Sequence, residues 1–325
     1  MPKCSLHRRF KHGDIRRHSS VIKLHLSEED KKARQQFCIS MIEGSSIPRD
    51  PIFKNMFNIV LIDEKWFYMT KKSQCYYLLS DEDEPLRTCK SKNFIAKVMF
   101  LVALARPRFD NEGKELFSGK IGLWAFVKRE PAKRASANRP AGIMETKALT
   151  SVNRDISRSY FIEKVIPSIK AKWLREDIGS PIFIQQDNAR THICLDDEEF
   201  RQVATQDGFD IRLMCQPPNS PDLNILDLGF FRAIQSLQHK EAPKTIDELI
   251  DAVVNVYESF LSIRSNHIFL TLQSCMVEIM KEKGSKKYQT PHMKKEMLEK
   301  EGQLPIQLKC DPDLVEETLR YLGSV

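Results

Sequence analysis

The chain has 325 residues, a hydrophobic fraction of 41% and a net charge of +7, which allow one large domain or two smaller ones with buried cores. Its longest apolar run, Val98–Ala105, is far shorter than the roughly 18 residues of a membrane-spanning helix, and the first residues show no secretory signal. The eight cysteines are scattered and form no Cys-x-x-Cys pair, which disfavours zinc and thioredoxin-type motifs and favours buried thiols in a reducing compartment.

The first 23 residues are strongly basic, because seven Lys and Arg against one acid, Asp14, give +6 and leave +1 for the other 302 residues. Such a cluster is either a solvated terminus or a surface that contacts nucleic-acid phosphates. Residues 5–11 resemble a helix end followed by Gly13, as at the end of a helix-turn-helix. The candidate DNA-binding residues in this segment are Arg8, Arg9, Lys11, Arg16 and Arg17.

A capping pattern at Ser27–Asp30 predicts a helix that continues to about Glu43. Three apolar segments then predict strands, and the loops between them indicate an antiparallel meander. These segments are Asn58–Ile62, Phe94–Ala105 and Ile121–Val127.

A basic segment, Lys128–Gly142, follows the third strand and contains five basic residues, one acid and two prolines. It is either a flexible surface loop or a contact to the DNA backbone. Its candidate DNA-binding residues are Lys128, Arg129, Lys133 and Arg134.

The second half of the chain begins with an amphipathic helix over Asp155–Trp173. A strand at Pro181–Gln186, a helix at Asp196–Thr205 and a strand at Ile211–Cys215 predict a right-handed crossover between parallel strands. Helices at about 227–239, 245–262 and 267–283 and a helical tail over 289–325 complete the chain. The fold class is therefore α/β: a ribonuclease-H-like mixed sheet, with a three-strand meander and two parallel strands, flanked by helices.

Three aspartates stand out against this plan. Asp63 and Asp187 each follow a short apolar strand, where α/β sheets usually hold ligands, and Asp227 follows a proline-rich turn and begins a helical pattern. Taken singly, Asp63 could pair with Lys65, Asp187 could form an Asx-turn and Asp227 could cap a helix. Together at one sheet edge they would form an oxygen-only site that suits Mg²⁺ or Mn²⁺.

Three sequence blocks make this combination specific. They are Asp63-Glu-Lys-Trp-Phe, Gln185-Gln-Asp-Asn-Ala-Arg-Thr-His192 and Pro217-Pro-Asn-Ser-Pro-Asp-Leu-Asn-Ile-Leu-Asp227. They resemble the signature blocks of mariner-like transposases, most closely those of the plant group. In that group 39 residues separate the second and third catalytic aspartates, and here 227 − 187 = 40, so 39 residues also intervene.

The resemblance implies that Asp63, Asp187 and Asp227 are the catalytic and metal-binding triad, with two Mg²⁺ or Mn²⁺ ions as cofactors. It implies that Asn188 and His192 line the site, and that Asp222 is a structural turn residue. Asp63 would bind both ions, Asp187 one and Asp227 the other. The expected reaction is hydrolysis at transposon ends followed by strand transfer into target DNA.

The resemblance also implies DNA as the partner, a homodimer gripped through the Thr70–Asn93 loop and a nuclear location, with no membrane and no small-molecule cofactor. Relatives carry a further DNA-binding region ahead of the point where this chain starts, so an N-terminal truncation is expected. The expected divisions are 1–50, a DNA-binding remnant and linker helix; 51–262, the catalytic domain; and 263–325, a helical tail. Two alternatives stay open: an inactive transposase-derived DNA-binding or regulatory protein, and a partner that poisons full-length transposases.

Overall fold

The computed structural model of the protein describes residues 25–70, 95–135, 140–241 and 243–323, together with residues 8, 9, 11, 12, 83 and 88. Two predictions concern residues outside this described part of the chain. One is DNA binding by Arg16 and Arg17. The other is the partner-binding loop Thr70–Asn93, of which only residues 70, 83 and 88 are described. Within the described part of the chain, no helix is long and apolar enough to cross a membrane.

A five-stranded mixed sheet forms the centre of the fold, with the strand order β5-β2-β1-β8-β9. Strands β5, β2 and β1 pair antiparallel, whereas β1 with β8 and β8 with β9 pair parallel. The predicted meander and the predicted pair of parallel strands are therefore both confirmed. The strands are β1 (Ile59–Tyr68), β2 (Lys97–Ala105), β5 (Lys120–Ala125), β8 (Pro181–Gln186) and β9 (Asp210–Cys215).

Two small hairpins, which the sequence did not predict, interrupt the meander and extend it. Strands β3 (Arg108–Phe109) and β4 (Glu115–Phe117) form the first, and β6 (Val127–Pro131) and β7 (Met144–Ala148) form the second. The second hairpin corrects the expectation of a loop over Lys128–Gly142, because the start of that segment is a strand. Charge pairing supports it: Glu130 lies 3.4 Å from Lys147 across the strands, and 2.5 Å from Lys128 on its own strand.

The helices cover both faces of the sheet. They are α1 (Glu28–Ser40), α2 (Arg154–Tyr160), α3 (Ile166–Lys172), α4 (Glu198–Ala204), α5 (Phe231–Gln238), α6 (Ile246–Ser259), α7 (Ser262–Lys281), α8 (Lys295–Lys300) and α9 (Pro312–Gly323). The predicted capping box at Ser27 and Asp30 is confirmed. The predicted helix over 155–173 contains a π-turn at Phe161–Val165, directly before Pro167, which has no N–H to donate to the preceding turn.

The two faces of the sheet carry separate apolar cores. Val60 and Ile62 pack with α2, α3 and α4, whereas Ile59 and Leu61 pack with α1, α5, α6 and α7. Because side chains alternate along a strand, the next two residues of β1 also face opposite sides. Asp63 therefore faces the α5 side of the sheet, and Glu64 faces the α4 side.

Candidate active site

The side chain of Asp63 lies in the middle of β1, which continues to Tyr68, and is close to the side chain of Asp227. This corrects the expectation that Asp63 follows the strand: only the parallel pairing of β1 with β8 ends before it, at Leu61. Burial and then the charges of Asp227 and Glu64 raise the pKa of Asp63 to about 8. Burial also raises the pKa of Asp227, although Lys65, with its Nζ 4.0 Å from Asp227 Oδ1, opposes the shift.

A π-turn over Leu226–Phe230 carries Asp227 into the site directly before α5. Such turns occur frequently at functional positions, because the extra residue redirects a side chain. Asp227 does not cap the helix, because it lies inside the turn, whose N-cap position is Ile225. The simple capping explanation of this aspartate is therefore excluded.

Asp187 follows β8 and is held by two donors. Its Oδ1 accepts the backbone N–H of Ala189 at 2.8 Å, which is the Asx-turn considered above, and lies 2.9 Å from His192 Nδ1. The hydrogen bond from His192 is the main cause that lowers the pKa of Asp187. Asp187 is nevertheless close enough to raise the pKa of both Asp63 and Asp227, so all three carboxylates share one electrostatic site.

His192 connects Asp187 to a fourth acid, Glu64, which the sequence did not single out. Its Nε2 lies 3.0 Å from Glu64 Oε2, and its side chain is only 3% exposed. Burial lowers the pKa of His192, but the bonds to Asp187 and Glu64 outweigh it and raise the pKa to about 11. The imidazolium therefore donates from both nitrogens. Two adjacent acids at the end of a strand were the available signal for Glu64.

Buried amides join the segments that carry the three aspartates. Asn224 Nδ2 donates to the carbonyl of Ile62 in β1 at 3.2 Å, which fixes the turn before Asp227 against the strand that carries Asp63. Gln185 Nε2, in β8, donates to the carbonyl of Leu223 at 2.9 Å. These two bonds place the Asp227 segment between β1 and β8.

The other sequence-predicted residues lie around this centre. Asn188, predicted to line the site, donates through Nδ2 to the carbonyl of Gln216 at 2.7 Å. Asp222 points away from the acids and binds the buried Arg34, with bonds of 2.7 and 2.6 Å, as expected of a structural turn residue.

The predicted DNA-binding residues that the structure describes are all exposed. Arg8, Arg9 and Lys11 are helical. Lys128, Arg129, Lys133 and Arg134 belong to the β6–β7 hairpin and its tip. This hairpin begins just after Ala125, the last residue of β5. Ala125 pairs with Phe100 of β2, and Phe100 pairs with Lys65 of β1, so the hairpin begins at the level of Lys65 in the sheet.

The donor chemistry fits divalent cations. Burial and the charge of Asp187 raise the pKa of both Asp63 and Asp227, and hard oxygen ligands of this kind are what Mg²⁺ and Mn²⁺ prefer. In the conformation described, no three His, Cys, Asp and Glu side chains of the described residues are grouped as a complete metal cluster.

Comparisons with known proteins support the fold described above. No protein-family model matches the sequence, and no curated protein matches it. Among solved structures, the chain is similar to complexes of the mariner transposase Mos1, and the ribonuclease-H-like fold class is thereby confirmed.

The similar structures are Mos1 assemblies at several stages. The pre-cleavage Mos1 transpososome matches with a TM-score of 0.59 and 13% identity, over 88% of this chain and 72% of that one. The Mos1 paired end complex with Mn matches with a TM-score of 0.58 and 13% identity, over 88% and 72%. The Mos1 Strand Transfer Complex matches with a TM-score of 0.58 and 14% identity, over 88% and 71%. At this identity the likeness establishes the fold.

Proposed function

We propose that the chain is the catalytic domain of a DDD-type, mariner-like DNA transposase that hydrolyses phosphodiester bonds at transposon ends and transfers strands into target DNA. The observation that carries the proposal is the Asp63–Asp227 pair, with Asp187 beside it, next to the point where the parallel pairing of β1 with β8 ends in a ribonuclease-H-like sheet. Burial and mutual repulsion hold the pKa of Asp63 near 8, which is the state of a carboxylate cluster built around a cation.

Asp63, Asp187 and Asp227 would hold two Mg²⁺ or Mn²⁺ ions, and Mos1 paired end complexes have been solved with each of these metals. Such ions, when bound, activate the attacking oxygen and stabilise the leaving oxygen of phosphodiester cleavage. His192 fixes the orientation of Asp187, and Asn224 fixes the turn before Asp227 against β1. The chain's own contribution is thus to hold three carboxylates in place.

The wider biological assignments follow from the same proposal. The substrate is DNA, contacted by the basic residues of the N-terminal segment and of the β6–β7 hairpin, and the working unit is a homodimer in the nucleus. We assign the chain to the plant mariner-like group. The divisions 1–50, 51–262 and 263–325 remain predictions.

The test is metal-dependent DNA cutting. The protein is incubated with supercoiled plasmid and a labelled duplex with a free 3′-hydroxyl in Mn²⁺, and nicking and end joining are measured. Asp63→Asn, Asp187→Asn and Asp227→Asn should each lose more than the roughly 10–100-fold cost of changing a residue that only supports a metal ligand. Asp251→Asn, an exposed aspartate on α6, is the matched control and should keep full activity.

A second candidate function is an inactive, transposase-derived DNA-binding or regulatory protein. The contacts of Asp187 favour it, because Asp187 Oδ1 is already engaged by His192 Nδ1 at 2.9 Å and by the backbone N–H of Ala189 at 2.8 Å. In the same assay this candidate predicts DNA binding without nicking, and equal results for the unsubstituted protein and Asp187→Asn. Metal-dependent nicking that disappears with Asp187→Asn rules it out.

A further inference from the structure

A basic groove lies between the start of α1 and the turn that follows α7. Its volume is about 690 Å³, and the charged residues in its lining are four lysines, Lys31, Lys283, Lys286 and Lys287, against two glutamates, Glu28 and Glu282. The sequence did not predict a ligand surface here, since these lysines are distant along the chain. Tertiary packing alone brings them together.

The turn that carries three of the lysines is held rigidly against α1. Lys283 and Gly284 both have positive φ, 48° and 81°, and the N–H of Gly284 bonds to the carbonyl of Ile279 at 2.8 Å. The carbonyl of Gly284 accepts Arg34 Nε at 2.8 Å. A Cβ on Gly284 would lie 2.2 Å from the carbonyl oxygen of Lys31. The two walls of the groove therefore touch, and the lysines are presented on a preformed frame.

Much of the positive charge in the groove is weakly compensated. Lys31 pairs with Glu28 at 2.6 Å. Lys283 lies 3.6 Å from Glu317, but both side chains are more than 60% exposed, so water screens this pair strongly. Lys287 is exposed. Four lysines against two glutamates leave an excess of two positive charges in the lining of the groove itself.

The groove lies at the same end of the sheet as the acids. Two hydrogen bonds link α1 to the loop after β9. Arg34 of α1 donates to Asp222 of the loop, and Asn219 Nδ2 of the loop donates to Asp30 of α1 at 3.5 Å. This loop leads directly to Asp227. Lys286 is close enough to Asp222 to contribute to the lowering of its pKa. His25, just before α1, also lines the groove.

We propose that this groove binds the phosphodiester backbone of duplex DNA whose end lies at Asp63, Asp187 and Asp227. The inference rests on the proposed function, which makes DNA the substrate. Preformed lysines on a fixed turn neutralise phosphates without reading bases, so the groove holds the duplex in register and is indifferent to sequence. It supplies contacts on the catalytic body itself, separate from those of the N-terminal segment.

The test is the salt dependence of DNA binding by the full chain. A fluorescent duplex of about 30 base pairs is titrated in EDTA across a range of salt concentrations, and affinity is followed by anisotropy. The variant Lys283→Gln/Lys286→Gln/Lys287→Gln should bind at least about tenfold more weakly at low salt, with a log–log salt slope smaller by about 2, because each lost phosphate contact removes about 0.9 from the slope. The loss should be equal for unrelated duplex sequences.

The matched control removes the same charge elsewhere. Lys54, Lys114 and Lys300 are exposed and do not line the groove, so Lys54→Gln/Lys114→Gln/Lys300→Gln should leave the slope unchanged. The charge-keeping variant Lys283→Arg/Lys286→Arg/Lys287→Arg should retain binding, which separates lost charge from misfolding.

Two outcomes separate the groove from the proposed function. If the glutamine variant of the groove matches the control while the unsubstituted protein nicks DNA, the groove assignment is wrong and the transposase proposal stands. If the unsubstituted protein neither binds nor nicks DNA, both fail.

Discussion

Arg34 is fully buried and brings its charge into the interior beside Asp222. Its remaining donors reach Ser220 Oγ and the carbonyl of Gly284, both at 2.8 Å, and the hydroxyl of Tyr288 donates to Asp222. Burial alone would raise the pKa of Asp222, but Arg34 and Tyr288 outweigh burial and lower it. The pair fixes the loop that leads to Asp227, and breaking it would leave a buried charge without a partner.

Replacing Asp222 with asparagine should therefore destabilise the protein. We expect the free energy of unfolding near pH 7 to fall by about 3 kcal/mol, the usual cost of removing one partner of a buried ion pair. Because the folded-state pKa of Asp222 is lowered, the stabilisation is present above about pH 4, its unfolded value, and is lost as the pH falls through the folded pKa. Urea unfolding at neutral and acid pH measures both effects.

The gap between Asp222→Asn and the unsubstituted protein should shrink in acid. Asp251→Asn, on an exposed helix surface, should show no gap at either pH. Replacing both partners, with Arg34→Met and Asp222→Leu, should recover much of the lost stability, because no unpaired charge remains. A gap that is independent of pH would contradict the assigned role of the pair.

At this scale the sequence predicted which aspartates matter, but not how they are held. Asp63, Asp187 and Asp227 follow from strand ends and from the linked blocks, and the structure places them in one electrostatic site. The bond between His192 and Glu64 depends on a loop folding back over the far face of β1. No local pattern encodes that contact, although strand alternation does place Asp63 and Glu64 on opposite faces.

The turn after α7 is the element on which the packing of α1 depends. Gly284 has φ of +81° and so close an approach to Lys31 that a methyl group would meet its carbonyl oxygen at 2.2 Å. Gly113, in the β3–β4 hairpin, has nearly the same φ, +80°, but nothing within 4 Å of an added Cβ. Replacing each glycine with alanine therefore distinguishes two costs in stability. At Gly113 only the left-handed backbone is strained, whereas at Gly284 the added methyl group also clashes with α1.

Gly113→Ala should lower the free energy of unfolding by about 1 kcal/mol, the usual cost of a left-handed residue with a side chain. Gly284→Ala should cost about 3 kcal/mol, because the backbone of α1 must also move. Thermal or urea unfolding of both variants measures the difference. Equal losses would show that α1 does not pack tightly on this turn.

The elements with strong apolar periodicity were all predicted to exist, but not all of their bounds were. The strand expected at Asn58–Ile62 continues to Tyr68, because its polar second half still pairs with β2. The helix expected over 267–283 begins at Ser262. The β6–β7 hairpin was not predicted, because its strands are polar and are paired through Glu130, Lys128 and Lys147 rather than through an apolar face. The π-turn before α5 was not predicted either. Its sequence carries an ordinary helical pattern, and the extra residue is imposed by the need to pack Leu226 and Phe230 while Asp227 enters the site.

Charge is distributed asymmetrically over the whole molecule. Asp63 projects from β1, the central strand, Asp187 follows the neighbouring β8, and the basic hairpin follows β5, one outer strand of the sheet. The basic groove adjoins the loop after β9, the other outer strand. Positive surfaces therefore flank the acids on both sides of the same sheet edge, and this arrangement suits a duplex that lies across the edge with its scissile phosphate at the centre.

If one duplex contacts both flanks at once, their contributions to binding should be independent. We expect Arg129→Gln/Lys133→Gln/Arg134→Gln in the hairpin to lower the salt slope by about 2, as in the groove, since each lost phosphate contact removes about 0.9. Combining the hairpin and groove variants should add the two losses of binding free energy to within about 0.5 kcal/mol, as for distant sites without shared partners. Anisotropy titrations of the four proteins against one duplex measure this cycle. A combined loss no larger than either single loss would mean that the two surfaces compete for the same stretch of DNA, and would rule out a duplex spanning the catalytic edge.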